Sequence, residues 1–246
     1  MTNYITHYDS ENQRFHFKSN RHFWTPKVRL RSKPKVFIIG THKTGTTSLE
    51  AFLRDLGYRA GPERQFLMLV QDYHEERWEG IFKVIRNYEA FQDEPFNQAT
   101  DEFIMKIRNR YPNAKFILST GDDATEWFQS LLRFSRKKWA GETASISWND
   151  IQKVHYGRKG DYFRRYLRYH QIEGLDSDYD KLPFDQDVLE NWYNTYNSRM
   201  NALFKDDSNF IQVNLKNDDT AERLKQFLGV DHSEATIKRH NATKLT

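Results

Sequence analysis

The chain has 246 residues, of which 37% are hydrophobic and 29% charged, and it contains no cysteine. This length allows one sizeable folded domain, and the lack of cysteine excludes disulfides and thiolate metal ligands. Nine histidines show no HxH or HxxxH spacing, so we expect no metal site. Because there is no long apolar run and the N-terminus is polar, we expect no membrane span and no signal peptide, and predict a cytoplasmic protein.

Basic residues are unevenly distributed along the chain. Residues 14–35 contain eight Lys or Arg and no acid, and residues 133–168 hold a second basic run. Each run is either a solvated face or a positive funnel for a polyanionic donor or an acidic acceptor. The net charge of +4 is too small to indicate nucleic-acid binding, and we expect none. We interpret residues 1–34 as a basic and aromatic arm that precedes a single domain over residues 35–246.

The first element of that domain is the most informative part of the chain. A buried-type strand, Lys35–Ile39, runs into Gly40, a short loop and Gly45, and three hydroxyl residues at 46–48 then open a helix. Strand, glycine loop and helix start predict a phosphate cradle of backbone N–H groups at the positive end of a helix dipole. The two glycines have P-loop spacing, but a threonine replaces the usual lysine and the loop carries Lys43 instead.

Strands and helices alternate after this loop. Further strands are predicted at 58–60, 88–92, 115–119 and 210–215, and helices at 46–56, 64–86, 98–110, 123–138, 148–172, 185–205 and 220–228. This order predicts an α/β fold with a mostly parallel sheet flanked by helices on both faces. The ligand of such a sheet binds beyond the carboxyl ends of the strands, where segments 40–48, 93–95 and 120–123 are expected.

The segment THKTGTTSL resembles the 5′-phosphosulfate loop of sulfotransferases, which typically reads PKTGTTxL. The segments FQDEPF, YPNAKFILSTGDDATEWFQSL and IQVNLKNDDTAERLKQFLGV follow in the order seen in bacterial-type members, so that the resemblance covers most of residues 35–241. It implies a P-loop-kinase-like, three-layer fold. It also implies transfer of a sulfuryl group from 3′-phosphoadenosine 5′-phosphosulfate (PAPS) to a hydroxyl or amine, with adenosine 3′,5′-bisphosphate (PAP) as product and no metal. Acceptors in the superfamily are small molecules, lipids or carbohydrates.

The same resemblance implies the residues of the donor site. Lys43 would stabilise the leaving phosphate, and the loop as a whole would bind the 5′-phosphate through His42, Lys43, Thr44, Gly45, Thr46, Thr47 and Ser48. Ser130 matches the serine that contacts the 3′-phosphate, but Gly121 stands where the family carries an arginine. The candidates to replace that arginine are Arg133, Arg136 and the pair Arg158 and Lys159.

The general base is predicted from the same comparison. Asp93, two residues before Pro95, matches the histidine that takes the acceptor proton in cytosolic members. Burial beside the sulfate would raise the pKa of Asp93 toward the working range of a base. Glu94 is the alternative, and His42 and His74 are further candidates.

Two other functions fit part of the pattern. A small-molecule P-loop kinase is favoured by the glycine spacing and by Asp122 and Asp123, which could hold Mg²⁺ after a strand. A nucleotide-binding protein without transfer activity is favoured by Gly121. Trp127 and Phe128 are expected in the core. Four tyrosines spaced among basic residues either line the acceptor cleft or pack helices; these are Tyr156, Tyr162, Tyr166 and Tyr169.

Overall fold

The computed structural model describes the backbone of residues 5–9 and 14–17, and residues 33–97, 99–140, 145–154, 161–172 and 180–238. The strands are β1 (Ile5–Asp9), β2 (Arg14–Phe17), β3 (Val36–Ile38), β4 (Ala90–Phe91), β5 (Lys115–Thr120) and β6 (Phe210–Asn214). The helices are α1 (Thr46–Asp55), α2 (Glu63–Leu67), α3 (Leu69–His74), α4 (Trp78–Ile85), α5 (Asp101–Arg110), α6 (Ala124–Ser135), α7 (Trp148–Gln152), α8 (Asp161–Tyr169), α9 (Gln186–Leu203) and α10 (Thr220–Leu228). A π-helical turn, Arg136–Ala140, continues α6.

The predicted arm contains an antiparallel hairpin of β1 and β2, with Tyr8 opposite Phe15. The hairpin belongs to one unit, and the chain from Lys33 onward forms another. No helix in the described ranges is both long and apolar enough to cross a bilayer.

The main sheet has four parallel strands in the order β4-β3-β5-β6. Val36 pairs with Ala90 on one side and with Lys115 on the other, and Phe116 pairs with Phe210 at the far side. Parallel neighbours require a crossover connection, and helices supply it in each case. The predicted parallel α/β sheet is therefore confirmed.

Alternating side chains of β3 serve two separate cores, as the period of a strand requires. Phe37 stacks on Phe91 and Phe116, with ring centroids 4.6 and 5.5 Å away, in the core that includes α3 to α9. Val36 and Ile38 point to the opposite face and pack with α1 and α10. Helices thus cover both faces of the sheet, which confirms the three-layer fold.

Three of the predicted elements differ from the observed ones. The helix predicted at 64–86 is three helices, α2, α3 and α4.

 

Glu76 lies between α3 and α4 with a φ of 54°, in the left-handed region, and an α-helix cannot continue through such a residue. The spacing from Tyr73 to Trp78 is five residues, so one straight helix could not place both apolar runs on the same face. The strand predicted at 58–60 is a single bridge between Ala60 and Ala90. Residues 148–172 contain two helices, α7 and α8, rather than one.

One close approach of two backbones positions the loop that follows β3. A Cβ added to Gly40 would lie 2.1 Å from Ser119 Oγ, 2.5 Å from Ser119 O and 2.7 Å from Ser119 N. Two of these three atoms belong to the backbone of β5, so they cannot move aside as a flexible side chain can. Gly40 is therefore required where the loop crosses β5.

Gly40→Ala should destabilise the fold, because the added methyl group overlaps the backbone of a central strand. We expect a loss of about 1–3 kcal/mol in the free energy of unfolding, measured by urea denaturation. Gly121→Ala is the matched control, since its added Cβ would be 3.7 Å from its nearest neighbour, Asp123 O, and it should change stability by less than about 0.5 kcal/mol. Equal stability of the two variants would contradict this account of Gly40.

Candidate functional site

Three connections meet at the carboxyl edge of the sheet, as the parallel strands require. The loop after β3 crosses β5 at Gly40 and Ser119. It also approaches the connection after β4, where His42 Nε2 lies 4.0 Å from Asp93 Oδ1. The connection after β5 begins at Gly121, which follows the last residue of that strand. The structure thus brings the three segments predicted from the sequence to one edge.

The loop after β3 is held from within and from β5. Thr44 Oγ1 donates to the carbonyl of Thr41 at 2.6 Å and lies 2.7 Å from Ser119 Oγ. These bonds occupy the buried hydroxyl of Thr44, which leaves its backbone as the part that can face a ligand. The prediction that Thr44 contributes to the donor site therefore applies to its main chain.

Two aromatic side chains fix the loop from the helical layer. Trp127 Nε1 donates to the carbonyl of His42 at 2.8 Å, and Tyr196 OH donates to the carbonyl of Ile39 at 2.6 Å. Trp127 is buried and stacks on Tyr193, with ring centroids 4.6 Å apart. Because α6 and α9 both anchor the loop, its shape is determined by the helical core as well as by its own residues.

The start of α1 has the properties of an anion site. Gly45, at φ 85°, occupies the N-cap position, no side chain caps the helix, and its first turn contains no acid. A Cβ on Gly45 would lie 2.5 Å from Leu215 Cδ2. Thr47 is exposed, whereas the side chains of Thr46 and Ser48 are buried. Uncapped N–H groups at the positive end of a helix dipole favour a bound anion.

Lys43 lies beside this helix start. Its backbone is in the left-handed region, at φ 68°, and its Nζ is 4.4 Å from the ring centroid of Phe134 on α6. Burial lowers the pKa of Lys43, and the nearby charge of Arg133 lowers it further. A partly desolvated ammonium beside a second cation is a setting that a bound anion would stabilise.

Asp93 has an unusual backbone conformation and a largely buried carboxyl group. Its φ is 62°, and burial raises its pKa to about 7, with Glu63, Glu50 and Glu94 adding to the rise and Arg165 opposing it. Aspartate is one of the few residues that tolerate a positive φ. A carboxyl group with a pKa near 7 is suited to accept a proton at neutral pH.

His42 faces Asp93 and is held in its neutral form. Burial lowers its pKa well below 6.5, and Arg165, Arg168 and Lys43 lower it further against the opposing effect of Glu94. Its Nε2 lies 3.4 Å from Asn97 Nδ2. The imidazole therefore lies on the Asp93 side of the loop, while its carbonyl is held by Trp127.

Glu94, the alternative base, lies in a buried ion cluster. Its Oε1 is 3.1 Å from Arg165 Nε and 3.1 Å from Arg168 Nη2. Burial raises the pKa of Glu94, but the charges of Arg165 and Arg168 and a hydrogen bond from Arg165 outweigh it and hold the pKa at about 2. Glu94 is consequently ionised and paired, which makes it a poor proton acceptor.

Three buried polar atoms without partners in the described part of the chain lie at the same edge of the sheet. Thr41 Oγ1, Gln92 Oε1 and Asn97 Oδ1 have no hydrogen-bond partner among the residues described. All three lie in the loop after β3 or in the connection after β4. Buried unsatisfied oxygens are costly in a folded protein and are expected where a ligand or water completes the structure.

The helix α6 carries the residues predicted for the 3′-phosphate. Gly121 lies just before it, and its N–H donates to Tyr193 OH at 2.9 Å. A Cβ added to Gly121 would be in ordinary contact with Asp123 O and Tyr193 OH, at 3.7 and 3.8 Å. Ser130 and Arg133 are three residues apart and share a face of α6. Arg158 and Lys159 lie outside the described residues.

The acidic pair that favoured a kinase is engaged in other contacts. Asp122 lies 2.7 Å from Lys216 Nζ and accepts from Asn214 Nδ2 at 2.5 Å. The Asp123 carboxylate caps α6 by accepting from the N–H of Glu126 at 2.7 Å. Within the described ranges, no group of three or more His, Asp or Glu residues is arranged to hold a metal ion.

The aromatic residues singled out from the sequence are core residues where the structure describes them. Trp127, Phe128, Tyr162, Tyr166 and Tyr169 are all buried. Tyr162 OH lies 3.0 Å from Ser135 Oγ, so its polar end is satisfied inside the core. Tyr156 lies outside the described residues.

A cleft that the sequence did not predict opens between α8 and α9. This α8–α9 cleft has a volume of about 600 Å³, and its walls include Arg164, Arg168, Trp192, Tyr196 and Arg199. The basic run at 133–168 was the available signal, since it contains two of these arginines. Their convergence with residues of α9 depends on how the two helices pack, which spacing along the chain does not reveal.

Comparison with known proteins agrees with this architecture. Residues 35–245 match the profile of the family described as Sulfotransferase domain. A search of curated protein sequences gives no match to the chain. Since the matched region covers most of the chain and contains the whole parallel sheet and its flanking helices, the protein belongs to the sulfotransferase family.

Proposed function

We propose that this protein transfers a sulfuryl group from PAPS to a hydroxyl or amine of an acceptor. The observation that carries the proposal is the juxtaposition of an uncapped helix start, Lys43 and a carboxyl group of raised pKa, Asp93, at one edge of the sheet. The helix start and Lys43 are suited to bind a phosphosulfate, and Asp93 is suited to accept the proton of an acceptor.

The donor site fits the 5′ end of PAPS. The N–H groups at the start of α1, with the exposed hydroxyl of Thr47, would bind the 5′-phosphate. Lys43 would stabilise the negative charge that develops on this phosphate as it leaves. A cation fixed in place before the reaction contributes several kcal/mol to such a step when water is excluded.

Asp93 would act as the general base. The donor supplies the sulfuryl group, whose bond to the phosphate oxygen breaks as the acceptor oxygen or nitrogen bonds to sulfur. The proton of the acceptor passes to Asp93, and the products are the sulfated acceptor and PAP. His42 would position Asp93, since its neutral imidazole lies 4.0 Å from the carboxylate.

Arg133 is our candidate for the missing contact to the 3′-phosphate. It shares a face of α6 with Ser130, and its charge acts on Lys43. It is exposed, so it can reorient toward a ligand without loss of core packing.

Gly121 favours a second candidate function, in which the protein binds the nucleotide without transferring sulfate.

Lys43→Ala should lower transfer at least about 100-fold while the fold survives, because the leaving phosphate loses its cation. The measurement is release of PAP from PAPS in the presence of a mixed panel of phenols and sugars. Lys138→Ala is the matched control, since Lys138 approaches the same Phe134 ring, at 5.9 Å, but is exposed on the π-helical turn. Turnover of Lys43→Ala close to that of the control would refute the role of Lys43.

Asp93→Asn should lower transfer and raise stability above pH 7. The pKa of Asp93 is about 7 in the folded protein and 3.8 as a reference, so the folded state holds the proton more tightly and loses stability as pH rises from about 4 to 7. Asparagine removes this loss and accepts a positive φ. We expect a gain of about 2–4 kcal/mol at pH 8 by urea denaturation.

The control for this variant is Asp187→Asn, which alters an exposed carboxylate in the first turn of α9. As an exposed substitution, it should change stability at pH 8 by less than about 0.5 kcal/mol. A lower stability of Asp93→Asn than of the unaltered protein at pH 8 would show that the Asp93 carboxylate is not destabilising.

Calorimetry with PAP, ATP and AMP in parallel tests the donor. We expect PAP to bind most tightly, and preferential, Mg²⁺-dependent binding of ATP would favour a kinase instead. Gly121→Arg should tighten PAP binding about tenfold through one charge-assisted contact, because a Cβ at this position would meet its nearest neighbours only at ordinary contact distances of 3.7 and 3.8 Å. Gly121→Gln, of similar length but uncharged, is the control, and an equal affinity of the two variants would place the 3′-phosphate elsewhere.

A further inference from the structure

The α8–α9 cleft adjoins the edge of the sheet where transfer would occur. Arg168 lines the cleft and contacts Glu94, the residue that follows Asp93. Tyr196 also lines it and donates to the carbonyl of Ile39, next to Gly40. The cleft therefore adjoins both the connection after β4 and the start of the loop after β3.

Positive charge dominates this cleft. Arg164, Arg168, Arg199 and His74 line it, and none of the described lining residues is acidic. Two neighbouring acids offset part of the charge. Glu94 is shared between Arg168 and the buried Arg165, and Asp101 lies 3.1 Å from Arg199 Nε. Arg168 and Arg199 thus have carboxylate partners, and Arg164 adds a third guanidinium group to the described lining.

The pKa of His74 reflects the positive charge of this cleft. Burial lowers the pKa of His74, and the charges of Arg168 and Arg164 lower it further against the opposing effect of Glu94. The arginines therefore act on a neighbouring titratable group despite the nearby carboxylate. A field of this sign concentrates anions in a cleft.

Other side chains of the lining suit a ring. Trp192 and Tyr196 stack with ring centroids 5.4 Å apart, and Leu167 and Ile172 add apolar surface. A volume of about 600 Å³ lies within the usual range for small-molecule sites. Aromatic surface beside arginines can hold a ligand that has both a ring and a negative group.

We propose that the α8–α9 cleft binds the acceptor, and that the acceptor is an anion: a hydroxyl-bearing ring compound with a carboxylate or an equivalent fixed negative group, held by Arg164 and Arg168. This proposal rests on the proposed transfer function and specifies its substrate class. The ring packs against Trp192, and the negative group pairs with the arginines. The hydroxyl is then directed toward Asp93.

A matched pair of probes tests the charge requirement. Binding of 4-nitrophenyl β-D-glucuronide and 4-nitrophenyl β-D-glucoside, which differ in a carboxylate, is measured by calorimetry and ligand-observed NMR with PAP at saturation. We expect the glucuronide to bind about tenfold more tightly. Its advantage should shrink as the salt concentration rises, because the arginines are partly exposed.

Arg164→Gln should remove most of the advantage of the glucuronide. Arg164 is exposed, so its replacement leaves the buried ion cluster intact. Arg86→Gln is the matched control: it is exposed at the end of α4, where the neighbouring Ile85 carbonyl accepts from Lys35 Nζ at the amino edge of the sheet. We expect Arg86→Gln to keep the full preference for the glucuronide.

The outcomes separate this proposal from the proposed function. Three results would contradict the proposal that the acceptor is an anion, whether or not PAP binds. These are equal binding of the two probes, no binding of either probe, and an unchanged preference for the glucuronide in Arg164→Gln. If PAP fails to bind while the glucuronide still binds with the expected preference, the cleft binds anionic ring compounds but the proposed transfer function is wrong.

Discussion

The buried ion cluster of Glu94, Arg165 and Arg168 connects the parts of the site. It ties the connection after β4 to α8, with both arginine contacts at 3.1 Å. A buried charge without a partner is unfavourable by several kcal/mol, so these side chains are held together by electrostatics as well as by packing. The position of Asp93, the charge of the α8–α9 cleft and the low pKa of His42 all depend on this cluster.

Two adjacent carboxyl groups have opposite environments. Glu94 has two arginine partners and a pKa of about 2, whereas Asp93 lies near other carboxylates and has a pKa of about 7. Groups whose pKa values are pushed apart in this way commonly divide structural and catalytic roles. In our proposal the paired residue supports the site, and its neighbour takes the proton.

The two sides of the site differ in how they are built. The loop side is held by bonds to Thr41, Ser119, Trp127 and Tyr196, which leave its backbone little freedom. The cleft side is formed by side chains of α8 and α9, several of them exposed. A rigid anion site beside a cleft of adaptable side chains suits a fixed donor and a separately recognised acceptor.

The sequence alone determined the parallel α/β fold and the glycine loop between β3 and α1, because both depend on local signals. Strand periodicity, the spacing of Gly40 and Gly45 and the hydroxyl residues at 46–48 are all read along the chain. It could not separate the roles of Asp93 and Glu94, or predict the α8–α9 cleft. Those features arise from contacts between residues some 70 positions apart, such as Glu94 with Arg165, and only the packing of α8 and α9 against the sheet brings them together.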